Sequence, residues 1–188
     1  MFAFLEHAHR QGAILYYDVN FRASHANDVI KVTPNILENL EFADIVRGSK
    51  EDFEVMFNKS EADIVYRSQI SFYCKNFIYT QGAEPLILKG VGGFSKDYPV
   101  AQTETVSTIG AGDNFNAGFV YGLVKYGITR EMLETGVAEE LWDKVIDEAQ
   151  QFATNVCQSI NNSVDQTFAD KKKRELEANL KEMEENNK

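Results

Sequence analysis

Residues 108–123 read TIGAGDNFNAGFVYGL, and the rest of the chain is best read outward from this stretch. Gly110 and Gly112 bracket an alanine, Asp113 follows at once, and small and apolar residues then recur at helical spacing. Glycines let the backbone turn tightly and let a ligand approach where a Cβ would stand. The first amides of the helix that follows have no acceptors within the helix. Together with the helix dipole they favour negative charge at that end. Asp113 has two readings from the residues alone. It is a helix cap, or it is a catalytic group beside an anion site. The common glycine motifs do not fit. No Gly-Lys-Ser/Thr occurs, so this is not a Walker A loop, and the third glycine of a dinucleotide fingerprint is replaced by Phe115.

Bulk composition narrows the function classes. The chain has 188 residues, 44% of them hydrophobic and 12% aromatic, enough for one domain with a packed core. Asp and Glu number 29 against 19 Lys and Arg, a formal net charge of -10. That balance excludes the basic footprint of a nucleic-acid binder and argues against an anionic membrane surface. No stretch reaches the ~18 apolar residues that a membrane span needs. The start, MFAFLEHAHRQG, lacks the basic segment and apolar run of a signal peptide. Cys74 and Cys157 make no disulfide framework and no metal motif, so a cytoplasmic protein is expected. His7, His9 and His25 show no metal spacing and are read as structural, and Cys157 as a core residue.

Alternating patterns predict an α/β layer fold with parallel pairings. Residues 2–11 predict a short amphipathic helix stopped by Gly12, and AILYYDV (13–19) a buried strand. Thr33-Pro34 predicts a helix start, and ADIVRG (43–48) a strand. Ser49 reads as the N-cap of KEDFEVMF, and a helix is predicted across 61–74. NFIYTQG (76–82) predicts a strand and turn. LILKG and GFSKDYPV predict an antiparallel pair bending near Gly92-Gly93. Helices follow to about Tyr126 and over roughly 130–135 and 138–159. From Asp170 to Lys188 opposite charges sit four apart, which predicts a solvated helix. The division expected is a domain over 1–168 with a charged helical tail over 169–188.

The sixteen residues quoted above closely resemble the C-terminal signature of the ribokinase/fructokinase (phosphofructokinase B-type) carbohydrate kinases, a D-T-x-G-A-G-D pattern before a small-residue helix. Three further landmarks fall in the family's order. ILYYDVNFR resembles its strand ending in D-P-N-x-R, ADIVRGSKEDFEVMF its strand followed by N-x-x-E, and FIYTQGAEPLILKG its T-x-G turn and hairpin. FATNVCQSI lies where the family's last helix passes the adenine. The resemblance implies a ribokinase-like three-layer α/β sandwich with a mostly parallel sheet. It also implies ATP-dependent phosphorylation of a sugar hydroxyl.

By this resemblance Asp113 is the base that accepts the hydroxyl proton, and the amides of Gly110, Ala111 and Gly112 face the transferring phosphoryl group. Thr80 and Gly82 resemble the turn that contacts ATP, and Asn155 and Ser159 fall on the adenine helix. Asn20 and Arg22 fall where some relatives face the sugar or phosphate; a plain surface turn is the alternative reading. Asp52 stands for the glutamate of N-x-x-E, near Mg²⁺, and Glu51 is a second candidate. The same residues also read as a near capping box, with Ser49 as cap. Ser107 and Ile109 depart from the family's Asp and Thr, so the monovalent cation site of some relatives is not carried over. Family members begin with a further glycine-bearing portion that holds much of the sugar site, several strands and a β lid. The chain is therefore expected to be a fragment, a product of a wrong start, or a degenerate relative. It is expected to self-associate as a homo-oligomer and to turn over weakly or not at all. The alternative function is a non-catalytic nucleotide-binding or assembly module derived from a sugar kinase.

Overall fold

The computed structural model describes residues 2–21 and 23–186. Its strands are β1 (Tyr16–Asp18), β2 (Ile45–Ser49), β3 (Asn76–Gln81), β4 (Glu84–Lys89) and β5 (Ser95–Tyr98). Its helices are α1 (Phe2–Arg10), α2 (Val29–Phe42), α3 (Lys50–Phe57), α4 (Ala62–Val65), α5 (Ala111–Lys125), α6 (Arg130–Thr135), α7 (Glu139–Cys157) and α8 (Gln166–Asn186). Contacts divide the chain into two compact units, Met1–Val100 with Thr129–Val137, and Ala101–Ile128 with Ala138–Lys188.

The first unit is built on a sheet of order β1-β2-β3-β4-β5. β1, β2 and β3 pair in parallel, while β4 is antiparallel to both of its neighbours. β5 therefore runs the same way as the first three strands. One apolar face gathers Val46, Phe77 and Tyr79 from the strands with Leu40 of α2, Phe53 of α3 and Val65 of α4. Phe53 is fully buried, with ring centroids 5.5 Å from Phe77 and 5.9 Å from Tyr79. Losing such a ring costs about 3–5 kcal/mol. α6 is pinned through buried Asn76, whose side-chain amide donates to the carbonyls of Leu133 and Asp44, both at 3.0 Å.

Two helix predictions need correction. α2 begins at Val29, so Thr33 and Pro34 lie inside it. The Thr33 hydroxyl instead donates to the Val29 carbonyl at 2.7 Å. The bond that Pro34 cannot make would go to Ile30, which is 89% exposed, so water can serve that carbonyl. The helix predicted over 61–74 is α4 continued as a wide π turn over Tyr66–Ile70, and it ends there.

The second unit is held by α5 against α7. A Cβ on Gly118 would stand 2.8 Å from the Ala149 Cα and the Glu148 carbonyl, and one on Gly122 would stand 3.0 Å from the Val145 Cα. Only glycine allows backbones to meet this closely. α8 is a largely exposed helix, as expected, but one face of it docks. Lys172 on α8 is 4% exposed. It reaches buried Glu148 at 2.6 Å and Gln151 at 2.7 Å. Lys125 of α5 joins Glu148 at 2.8 Å to Glu175 at 2.9 Å. Burial alone would raise the Glu148 carboxyl, but hydrogen bonds from Lys125 and Lys172 outweigh it and hold it below the ordinary range. The pattern of charges four apart is real on the outer face, as in Lys171–Glu175 at 3.8 Å. What it does not reveal is that Lys172 and Glu175 find partners on other helices.

Candidate active site

The glycine turn lies in the second unit. Gly110 is the N-cap of α5 and takes a left-handed conformation, φ +82°, with no side-chain cap bond. A Cβ there would meet the Asn162 carbonyl at 2.9 Å. Asp113 is therefore not the N-cap. It is the third residue of the helix and is exposed. The N–H of Ala111 donates to the Thr108 carbonyl at 3.2 Å, closing the turn. Of the amides proposed to face a phosphoryl group, Ala111 is thus already engaged. The amides of Gly110, Gly112 and Asp113 have no acceptor within the helix.

The connection from α7 to α8 packs on this turn. Val106 N–H donates to the Cys157 carbonyl at 2.8 Å. The Asn114 side-chain amide bridges the Gly110 carbonyl at 2.9 Å and the Asn162 carbonyl at 3.0 Å. Of the residues expected beside the adenine, Asn155 lies in the last turn of α7 and Ser159 on this connection. Asn155 exchanges hydrogen bonds with Asp165, donating to its carboxylate at 2.6 Å and accepting from its N–H at 3.0 Å. The bond from the Asn155 amide, followed by that from Phe168 N–H, holds the Asp165 carboxyl below its ordinary range. The Ser159 hydroxyl accepts from Asn161 N–H at 3.0 Å. Asn162 and Asp165 were not singled out from sequence. A polar run such as SINNSVDQ carries no periodic signal.

The first unit has its own cluster, at the C-terminal ends of its parallel strands, where open α/β sheets place ligands. A cleft of about 570 Å³ is lined by Asn20, Phe21, Arg47, Ser49, Glu51 and Asp52, among others. Asn20 follows β1 at φ +41°, a region that asparagine tolerates better than other side-chain-bearing residues. Arg22 lies outside the described residues. Ser49 and Asp52 form a full capping box on α3. The Ser49 hydroxyl accepts from Asp52 N–H at 3.2 Å, and the Asp52 carboxylate accepts from Ser49 N–H at 2.7 Å. Asp52 is buried, and Glu51 beside it also reaches the cleft. Thr80 ends β3, and Gly82 makes the following turn at φ +66°.

Arg47 was missed from sequence. It is 9% exposed, and its guanidinium reaches both oxygens of Asp18 at 3.0 and 3.2 Å and the Thr80 hydroxyl at 3.1 Å. The available signal was a basic residue inside the apolar strand ADIVRG, because charges are seldom buried unless paired.

The family model for pfkB family carbohydrate kinases matches residues 1–160. The chain belongs to this family. A 5-dehydro-2-deoxygluconokinase from Bacillus thuringiensis (strain Al Hakam) is 25% identical over 130 residues, covering 66% of this chain and 39% of the relative. Among solved structures, aminoimidazole riboside kinase from Salmonella enterica, complexed with aminoimidazole riboside and an ATP analog, matches at TM-score 0.69 and 22% identity. That match covers 85% of this chain and 52% of the other. Fructokinase with bound ATP from Xylella fastidiosa matches at TM-score 0.71 and 17% identity, covering 97% and 56%. These neighbours establish the ribokinase-like fold. The chain spans well under two thirds of the length of the relatives it matches. Among the described residues no helix is long and apolar enough to cross a membrane, and no group of three or more His, Cys, Asp or Glu side chains is arranged to hold a metal.

Proposed function

We propose that this pfkB-family chain is the nucleotide-binding part of a sugar kinase, with Asp113 as the base for the attacking hydroxyl. The observation that carries the reading is the start of α5. Its N-cap is a left-handed glycine with no side-chain cap, and its third residue is an exposed carboxylate. An acid left uncommitted beside orphan amides is suited to chemistry rather than to capping.

The reaction is transfer of the γ-phosphoryl group of ATP to a sugar hydroxyl. Such transfer asks the protein mainly for alignment and charge stabilisation. Asp113 orients the hydroxyl and takes its proton late, as the new bond to phosphorus forms. The amides of Gly112 and Asp113 stabilise the equatorial oxygens of the moving group. Asn155 and Ser159 belong to the adenine side, Thr80 and Gly82 to a second nucleotide turn, and Asn20 and Arg22 to the sugar or phosphate. Mg²⁺ favours one or two carboxylates with phosphate and water oxygens over an all-protein cage. Asp52 and Glu51 on the cleft suit that style of binding, even though Asp52 also caps α3. When bound, the ion would neutralise charge on the phosphates.

The second reading is a non-catalytic nucleotide-binding or assembly module derived from a sugar kinase. The test is ADP release over a sugar panel that includes fructose, aminoimidazole riboside and 5-dehydro-2-deoxygluconate, run beside ATP-analogue binding. Sugar-dependent release that disappears in Asp113→Asn supports the kinase reading. Equal release in that variant removes Asp113 as the base. Analogue binding without release on any sugar supports the module.

A further inference from the structure

We infer that Arg47 is a positioning residue that holds the C-terminal ends of β1 and β3 as one unit, fixing the DVN turn and the TQG turn together. The inference rests on the proposed function for what those turns contact, and on this structure for how they are held. Arg47 stands in β2, directly opposite Asp18 of β1 in the parallel register. One guanidinium nitrogen takes the Asp18 carboxylate, and the other donates to the Thr80 hydroxyl of β3 at 3.1 Å. β1 and β3 are not neighbours; two strand spacings, about 9.6 Å, separate them. A planar fork presents two separate nitrogens to the two sides in a fixed geometry, whereas an ammonium is a point charge on a flexible stem and sets no such geometry. The side chains of Arg47 and Asp18 are 11% and 17% exposed.

A pair this buried adds little net stability over an apolar replacement, so its retention is better explained by the geometry it imposes. The geometry is specific. Asp18 opens the segment that leads to Asn20, and Thr80 opens the segment that leads to Gly82. Thr80 also lies 3.5 Å from the Gly48 carbonyl, next to the Ser49 cap. Two segments on either side of β2 are thus tied to one side chain. A purely neutralising role for Arg47 makes a different prediction, because lysine would then suffice.

The test uses the full chain with Arg47→Lys, Arg47→Met, Thr80→Val and the Arg47→Lys/Thr80→Val double variant, compared by hydrogen exchange, thermal unfolding and ATP-analogue titration. In Arg47→Lys the charge beside Asp18 survives, so thermal stability should stay closer to the parent than in Arg47→Met. Exchange over 16–21 and over 79–83 should nevertheless rise together by about ten-fold, with α7 unchanged, and analogue affinity should fall by a similar factor. Thr80→Val should loosen 16–21 as well, two strands away, and should add nothing in the Arg47→Lys background. Arg47→Lys with parental protection in both turns would overturn the inference. So would Thr80→Val confined to its own strand, or unchanged analogue affinity despite raised exchange. If the parent binds no analogue, the nucleotide reading fails, and the exchange pattern still decides the role of Arg47.

Discussion

Two helices of this chain begin with an acid at the third helical position, and the two acids are used in opposite ways. α3 starts from Ser49, and Asp52 closes a reciprocal capping box with it, buried and bonded to the Ser49 N–H. α5 starts from Gly110, which has no side chain to cap with, and Asp113 is exposed. The sequences SKED and GAGD share only the acid, and the residue three before it is serine in one and glycine in the other. Where serine supplies a hydroxyl, the acid is drawn into the cap. Where a left-handed glycine replaces it, the helix start keeps its amides for another acceptor and the acid stays available. A helix-start acid is therefore best judged by what stands three residues before it.

The largest expected effect falls on the uncommitted acid. Asp113→Asn should cut sugar-dependent phosphorylation by about 10²–10⁴-fold, the usual worth of a positioned base. Its stability should change by under about 1 kcal/mol, since only a helix-end charge is removed. A coupled assay beside a melting curve separates the two. A large melting shift with intact turnover would mean that Asp113 is a structural residue like Asp52.

Glu148 widens the comparison to an acid with no freedom. Glu148→Gln leaves Lys125 and Lys172 short of a buried partner, which should cost about 3–5 kcal/mol in urea unfolding. The pH dependence has a definite sign. The Glu148 and Glu175 carboxyls are held below the ordinary range, Glu175 chiefly by its hydrogen bond from Lys125. Their contribution is complete above the unfolded carboxylate value of about 4.3 and is lost as pH falls through the lower folded values. The parent should lose stability across that acid window, and Glu148→Gln should lose less of it.

What could be read in advance follows from how each feature is encoded. The α5 turn was legible because a left-handed N-cap and two close backbone approaches require glycine at Gly110, Gly118 and Gly122. Such requirements leave residues that few other contexts select. The Ser49 cap was legible for the same reason. α2 was misplaced because Thr33-Pro34 is a good start signal locally, and the 89% exposure of Ile30, which makes an interior proline tolerable, is a tertiary fact. Arg47, Asn162 and Lys172 were illegible in another way. Each matters through a partner 24 to 48 residues distant in sequence. No local pattern records such partners.

Gly110→Ala tests whether the open helix start depends on its backbone. The new Cβ must adopt φ near +82° and meets the Asn162 carbonyl at 2.9 Å. Backbone strain and crowding together should cost about 2–3 kcal/mol. Displacement should reach the α7–α8 connection, because Asn114 ties Gly110 to Asn162. Proteolysis between 158 and 165 is the measurement. Unchanged susceptibility there would mean that the turn and the connection are not coupled.

The smallest effect tests the closed start. Ser49→Ala removes the hydroxyl that accepts from Asp52 N–H, and a lost cap is worth about 1 kcal/mol. Asp52 also receives the Ser49 N–H at 2.7 Å, and alanine keeps that donor, so the carboxylate should not swing free. The consequence separates capping from metal chemistry. If Asp52 serves only the helix, Ser49→Ala lowers the melting temperature and leaves the Mg²⁺ dependence of nucleotide binding as it was. If Asp52 shares its carboxylate with a metal–phosphate group, loss of the competing hydroxyl contact at 2.7 Å strengthens that dependence while stability falls. Titrating Mg²⁺ against ATP-analogue binding in parent and variant distinguishes the two, because capping alone predicts no change in the metal midpoint.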